Sequence, residues 1–369
     1  MSETRQLVYV GTYTNLPPEP KGRGAGIYVY ELDPGSGTLT FVSLTADVPN
    51  PSFLSVDPDG RTLYAVNEVT AINGQPGGAV SAFAVDQVLG ELTFLNRQPS
   101  HGTDPCHLRV DCSGRVLMVA NYSSGSVAVL PIDAGGRLAP ASDTRQHFGS
   151  GPDPQRQEGP HAHFITPDPT NRYVLVADLG LDQVLVYRLD AERGSLTEQE
   201  PPVVALPPGS GPRHLAFHPD GRSVYVINEL ASTISTCAWN GSDGTLRLLD
   251  TISTMPEGFD GRNSCAEVRV APSGRFVYGS NRGHDSIAIF AVDPENGTLS
   301  QAGHVATQGA NPRNFTIDPS GNFLLAANQD SDTVVTFRID AASGELTATG
   351  HVTNVPSPVC VTLVPARRE

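Results

Sequence analysis

The chain has 369 residues, 38% hydrophobic and 17% charged, with 39 acidic against 24 basic side chains and a formal charge of −15. That balance is ordinary for a globular protein, excludes nucleic acid and anionic lipid as main partners, and obliges any site for an anionic ligand to gather its own arginines. No run of about 18 apolar residues occurs, so no membrane span is expected.

Three short alternating segments come first, at 7–12, 26–32 and 39–44. A repeated marker then starts: a proline opens a short strand, and seven positions on a second proline enters a turn. In chain order the pairs are Pro51 and Pro58, Pro105 and Cys112, Pro160 and Pro167, Pro212 and Pro219, Cys265 and Pro272, Pro312 and Pro319, and Pro358 and Pro365. After the second marker come a polar turn such as Asp220-Gly221-Arg222 and an apolar strand such as 224–227, ending at Asn228. A Gly-x-Leu step then turns a third strand into a fourth, at Gly37, Gly90, Gly136, Gly194, Gly244, Gly297 and Gly344. Seven units of four short strands, with Gly and Pro spaced between them and no helical period, predict an all-β, seven-bladed β-propeller occupying 1–369 as one domain. The last marker pair lies near the C-terminus. Its unit therefore takes its inner strand from there and its outer three from the N-terminus, which removes two open sheet edges.

Five cysteines, odd in number and without C-x-x-C spacing, read as reduced thiols. The first residues show no basic stretch followed by an apolar one, so no secretory signal is expected and the expected location is cytoplasmic.

In a propeller the first strand of each blade lines the channel and the second runs back, so the start of one and the end of the other share a face. Directly after the first markers stand Ser52, Cys106, His161, Arg213, Ala266, Arg313 and Val359. Directly after the strand-ending Asn or Asp stand Glu68, Tyr122, Leu179, Glu229, Arg282 and Gln329. A structural repeat would place small or apolar residues there. One His, three Arg and two Glu instead demand pairing or a ligand, because charge in an enclosed channel is costly. They form either an ion-pair ring or a site. His161 and His163 make an H-x-H pair, but no third ligand has suitable spacing, so neither a metal nor any other cofactor is expected. His163 shares a position with Leu54, Leu108 and Leu215 and is expected to pack inside, while His107 and His214 are expected to be structural. Cys106 has no neighbouring base to activate it.

The segments 156–163 (RQEGPHAH), 211–219 (GPRHLAFHP), 226–230 (VINEL), 280–282 (SNR) and 311–314 (NPRN) resemble the propeller-type lactonase family of bacterial 6-phosphogluconolactonases and fungal carboxy-cis,cis-muconate cyclases. The resemblance covers nearly the whole chain. It implies catalytic roles for His161, Arg213, Glu229 and Arg282 around the channel mouth, and a small anionic lactone as partner. Arg313, Gln329 and Tyr122 are the expected substrate contacts. For hydrolysis of 6-phosphoglucono-1,5-lactone, water needs a base and the carbonyl oxygen a donor. Arg213 or Arg282 supplies the donor, Arg313 helps hold the phosphate, and either Glu229 or His161 fits the base. The alternatives are a muconate-type lactonising enzyme or another small-lactone hydrolase, and a non-enzymatic propeller that binds protein on its face. No oligomeric partner is read from the sequence.

Overall fold

The computed structural model describes residues 6–72 and 74–365. It forms seven four-stranded antiparallel sheets, the blades of a propeller. In blade 1, Pro358–Pro365 is the inner strand, followed outward by Gln6–Thr12, Gly26–Leu32 and Leu39–Ala46. The closure is an antiparallel pairing of the chain's two ends, with Val8 opposite Leu363 and Val10 opposite Val361. Blades 2 to 7 each run outward in chain order, beginning at Leu54, Pro105, Ala162, Pro212, Ser264 and Pro312. Among the described residues the one helix is a single 3-10 turn at Gln329–Ser331, and no helix is long and apolar enough to cross a membrane.

Burial follows position in the blade. The second strands Thr62–Asn67, Val116–Asn121, Tyr173–Asp178, Ser223–Asn228 and Phe323–Asn328 are buried along their whole length. Both of their faces pack on neighbouring blades, so they read as continuous apolar runs rather than as alternation. Outer strands such as Leu39–Ala46 are mostly exposed or half-buried.

The Gly-x-Leu step also ties blades together. The hydroxyls of Tyr9, Tyr64, Tyr225 and Tyr278 donate to the carbonyls of Gly90, Gly136, Gly297 and Gly344, each in the next blade. At Gly244, with φ of +76°, an added Cβ would sit 2.3 Å from the Tyr173 ring, so the turn and the clasp both need glycine. The strand-ending asparagines have a similar task. Asn121, Asn281 and Asn328 donate their side-chain amides to the carbonyls of Ser100, Thr254 and Thr307, in the segments that enter their own blades.

Blade 4 departs from the expected register. In the other blades the residue after the strand-ending Asn donates its N–H to the carbonyl one residue before the first marker: Glu68 to Asn50, Tyr122 to Asp104, Glu229 to Gly211, Gln329 to Asn311. In blade 4 Leu179 donates to His161. His161 is thus the equivalent of Asp104, not of Cys106, and the true marker pair is Ala162 and Pro169. The run Thr166-Pro167-Asp168-Pro169 offered two prolines, and the earlier one is the wrong partner. His163 therefore occupies the channel position beside Arg213, correcting the expectation that it packs with Leu54 and Leu108.

Candidate active site

The first strands begin with a β-bulge. The register shifts between Pro105 and His107, Ala162 and Phe164, Pro212 and His214, and Pro312 and Asn314. A bulge turns two successive side chains toward the same space. Two stacked layers result. The upper holds Ser52, Cys106, His163, Arg213 and Arg313, which with Glu68 and Val359 line a small cavity. The lower holds Phe53, His107, Phe164, His214, Glu267 and Asn314, packed ring on ring, with His107 centroids 4.1 Å from Phe53 and 3.9 Å from Phe164. Burial holds His107, His163 and His214 well below the usual imidazole range, so these three rings are neutral.

Above the cavity, Glu229 gathers three arginines. Its Oε2 lies 2.8 Å from Arg213 Nε and 2.8 Å from Arg282 Nη2, and its Oε1 accepts from Arg156 Nη2 at 2.5 Å. Burial would raise this carboxyl, but Arg282 and Arg213 outweigh it and hold it well below the carboxylate range. Arg213 is pushed down to about 10 by burial and by the neighbouring guanidiniums of Arg282 and Arg313. Its Nη1 donates to the Ala266 carbonyl at 2.7 Å and meets His214 at 3.2 Å, its Nε faces Glu229 at ion-pair distance without a hydrogen bond, and Nη2 has no partner among the described residues. Arg282 also donates Nη2 to the Cys265 carbonyl.

His161 joins from the rim. Its backbone N–H donates to Asp178, its Nδ1 lies 3.1 Å from the Tyr122 carbonyl, and its ring stacks on Tyr122 at 4.5 Å. A carbonyl can only accept, so Nδ1 carries a hydrogen; Nε2 faces the Glu158 carboxylate at 3.2 Å, a contact that needs a hydrogen on Nε2 as well. The Tyr122 hydroxyl lies 3.5 Å from Arg156, which connects His161 to the Glu229 group.

A second carboxylate stands across the mouth. Glu68 accepts from the hydroxyls of Tyr13 and Ser52 and lies 3.4 Å from Lys21 Nζ. Arg313 donates to Tyr13 Oη at 2.8 Å and sits over that ring. Gln329 does not join the cavity lining. Its amide donates to Asp330 at 3.2 Å.

Three residues of this mouth escape the repeat. Tyr13 follows Thr12, which stands in the place of the strand-ending Asn. Lys21 and Arg156 arrive on connecting loops. For Tyr13 the signal was available, since blade 1 has a second strand like the others; for the two loop cations the repeat carries none. Among the described residues, no three His, Cys, Asp or Glu side chains are grouped to hold a metal ion.

A family model described as Lactonase, 7-bladed beta-propeller matches residues 7–363. A 6-phosphogluconolactonase of Bacillus subtilis (strain 168) is 38% identical over 315 residues, 85% of this chain and 86% of that protein. A 6-phosphogluconolactonase of Formosa agariphila is 36% identical over 315 residues, 84% of this chain and 86% of its own length. The structure of the periplasmic gluconolactonase of Pseudomonas aeruginosa matches with a TM-score of 0.91 at 36% identity, covering 99% of this chain and 100% of that one. The chain belongs to the seven-bladed β-propeller lactonases and is a lactone hydrolase.

Proposed function

We propose that the chain hydrolyses 6-phosphoglucono-1,5-lactone to 6-phosphogluconate, the lactone-opening step of the pentose phosphate pathway, at the Glu229 side of the channel mouth. The observation that carries this reading is the three-arginine cluster around one buried carboxylate, beside a histidine at the rim. The substrate named for two relatives fits a site with surplus positive charge.

Water attacks the lactone carbonyl carbon and the carbonyl oxygen becomes an oxyanion. The unpartnered Arg213 Nη2 is the donor placed for it. Glu229, with both oxygens held by guanidiniums, is a poor proton acceptor and acts as the anchor that fixes Arg213 and Arg282. Once the exposed Glu158 side chain swings into solvent and Nε2 has released its own proton to water, His161 Nε2 takes the proton of the attacking water. The tetrahedral intermediate collapses by breaking the bond between the carbonyl carbon and the ring oxygen. The same proton returns from His161 to that oxygen as it leaves. Arg313 and Arg156 are placed for the phosphate, with charge-assisted hydrogen bonds. The five free thiols support a cytoplasmic setting.

The test is a rate comparison with fresh 6-phosphogluconolactone, gluconolactone and carboxymuconate, with and without a chelator. Hydrolysis of the phosphorylated lactone at least tenfold faster, unchanged by the chelator, is the expected result. Equal rates on gluconolactone would remove the phosphate from the reading, and faster turnover of carboxymuconate would replace hydrolysis by lactonisation.

A further inference from the structure

Arg213, at the mouth, also touches the layer beneath. The bulge after Pro212 brings Arg213 and His214 side by side, and Arg213 Nη1 lies 3.2 Å from His214 Nε2. A guanidinium has no acceptor, so Nε2 of His214 accepts and its hydrogen sits on Nδ1. That Nδ1 lies 3.2 Å from Glu267 Oε2. The contact is at ion-pair distance but off the line of an ideal hydrogen bond. Glu267 is itself 1% exposed, and only donors surround it. Asn314 donates to Oε2 at 2.5 Å, the Val268 N–H donates to Oε1 at 3.1 Å, and Arg269 Nε lies 3.4 Å from Oε1.

We infer that Glu267 and His214 are positioning residues for Arg213: the carboxylate fixes the imidazole tautomer, and the imidazole lone pair holds one arm of the guanidinium so that Nη2 points at the reacting carbonyl. Without that acceptor, Nη1 keeps only the Ala266 carbonyl, and the guanidinium can rotate about its bond to Glu229. The neutrality of His214, enforced by burial and by the adjacent guanidinium, keeps the lone pair available. A bland role is open to the same residues, since Glu267 also neutralises Arg269 near the other end of the channel. The difference is that a positioning role acts only through Arg213.

This inference rests on the reading of Arg213 as the oxyanion donor, and a double-mutant cycle separates the two. Lactone hydrolysis is measured for Glu267→Gln, Glu267→Asp and His214→Gln, each alone and combined with Arg213→Ala, alongside thermal melts. Glu267→Gln and His214→Gln should each lower kcat by about tenfold, with KM within a factor of about two. Glu267→Asp should recover most of the loss. In the Arg213→Ala background neither Gln variant should cost anything further. A tenfold loss that persists without Arg213, or a lowered melting point with unchanged kcat in both Gln variants, overturns the relay. An Arg213→Ala variant with parental kcat overturns the reading beneath it instead. Should Glu267→Gln not fold, His214→Gln carries the same cycle.

Discussion

Glu68 and Glu229 stand in the same place in two blades, each directly after the asparagine that ends the second strand, and each is buried at the channel mouth. Their neighbours differ. Glu229 meets three guanidiniums within 2.8 Å. Glu68 meets the hydroxyls of Tyr13 and Ser52, with Lys21 farther off at 3.4 Å and bound more closely to Asp104 at 2.7 Å. One half of the mouth therefore carries surplus positive charge around a locked anion, while the other is close to neutral. The repeat supplies seven equivalent backbone positions, and the loops decide what each position can do. Arg156 comes from the connection between blades 3 and 4, and Lys21 from the connection inside blade 1.

The largest difference is expected on removing each negative charge. Glu229→Gln leaves Arg213 and Arg282 beside a neutral amide in a buried setting. Breaking a buried ion pair from one side costs about 3–5 kcal/mol. Because Glu229 anchors both arginines, turnover should fall along with the melting temperature. Denaturant unfolding with parallel kinetics checks both, and parental stability in Glu229→Gln would mean that solvent or a bound anion already screens the cluster.

Arg213→Ala divides stability from chemistry more sharply. Glu229 keeps Arg156 and Arg282, so the carboxylate is not stranded and the fold should lose little. The oxyanion donor, however, is gone, and kcat should fall by roughly 10²–10³. A variant that melts early yet hydrolyses lactone normally would turn the whole cluster into a structural ion ring.

How much of this was legible follows from what repeats. The blade count, the strand order and the closure by residues 7–12 and 358–365 came from spacing alone, because each blade needs the same turns and the same buried second strand. Arg213, Glu229 and Arg282 were legible because they break a repeat at positions of known direction. His161 and His163 were misplaced by two residues, since Pro160 and Pro167 match the marker while the Leu179 to His161 hydrogen bond and the bulge after Ala162 set it at Ala162 and Pro169. Gln329 occupies a mouth position in sequence, but the 3-10 turn that follows hands its amide to Asp330. Arg156 and Lys21 lie in irregular segments, where no periodicity reports the direction of a side chain.

Acid should act on the mouth and on the plug beneath it in separate windows. Glu229 titrates in the folded chain well below its ordinary value of 4.5. Its stabilisation is fully present above that value and is lost as the pH falls below it. For His107, His163 and His214 the folded values lie well below 6.5, so the unfolded chain takes up those protons first. Stability should therefore begin to fall below pH 6.5, by up to about 1.4 kcal/mol per pH unit for each histidine. Denaturant unfolding between pH 8 and 4 should show this upper slope, and His107→Gln should make it shallower while leaving the loss below 4.5 in place. A flat profile from pH 7 to 5 would mean that the plug admits protons while folded.

The smallest effect should belong to Glu68→Gln. The glutamine keeps its oxygen for the Tyr13 hydroxyl and can donate its NH2 to Ser52 Oγ once that hydroxyl turns, and Lys21 retains Asp104 at 2.7 Å. What is lost is one charge-assisted contact to a side chain that water already reaches, about 1 kcal/mol or less. Turnover should stay close to the parent, since Glu68 is not a direct partner of Arg213 or of His161. KM for a phosphorylated lactone should fall slightly, because removing an anion beside Tyr13 leaves Arg313 freer to meet the phosphate. Paired kinetics on phosphorylated and unphosphorylated lactone would show whether that shift follows the phosphate. If Glu68→Gln instead abolished turnover in a well-folded protein, the reacting carbonyl would belong on the Glu68 side, with Ser52 and Tyr13 as the groups to test next.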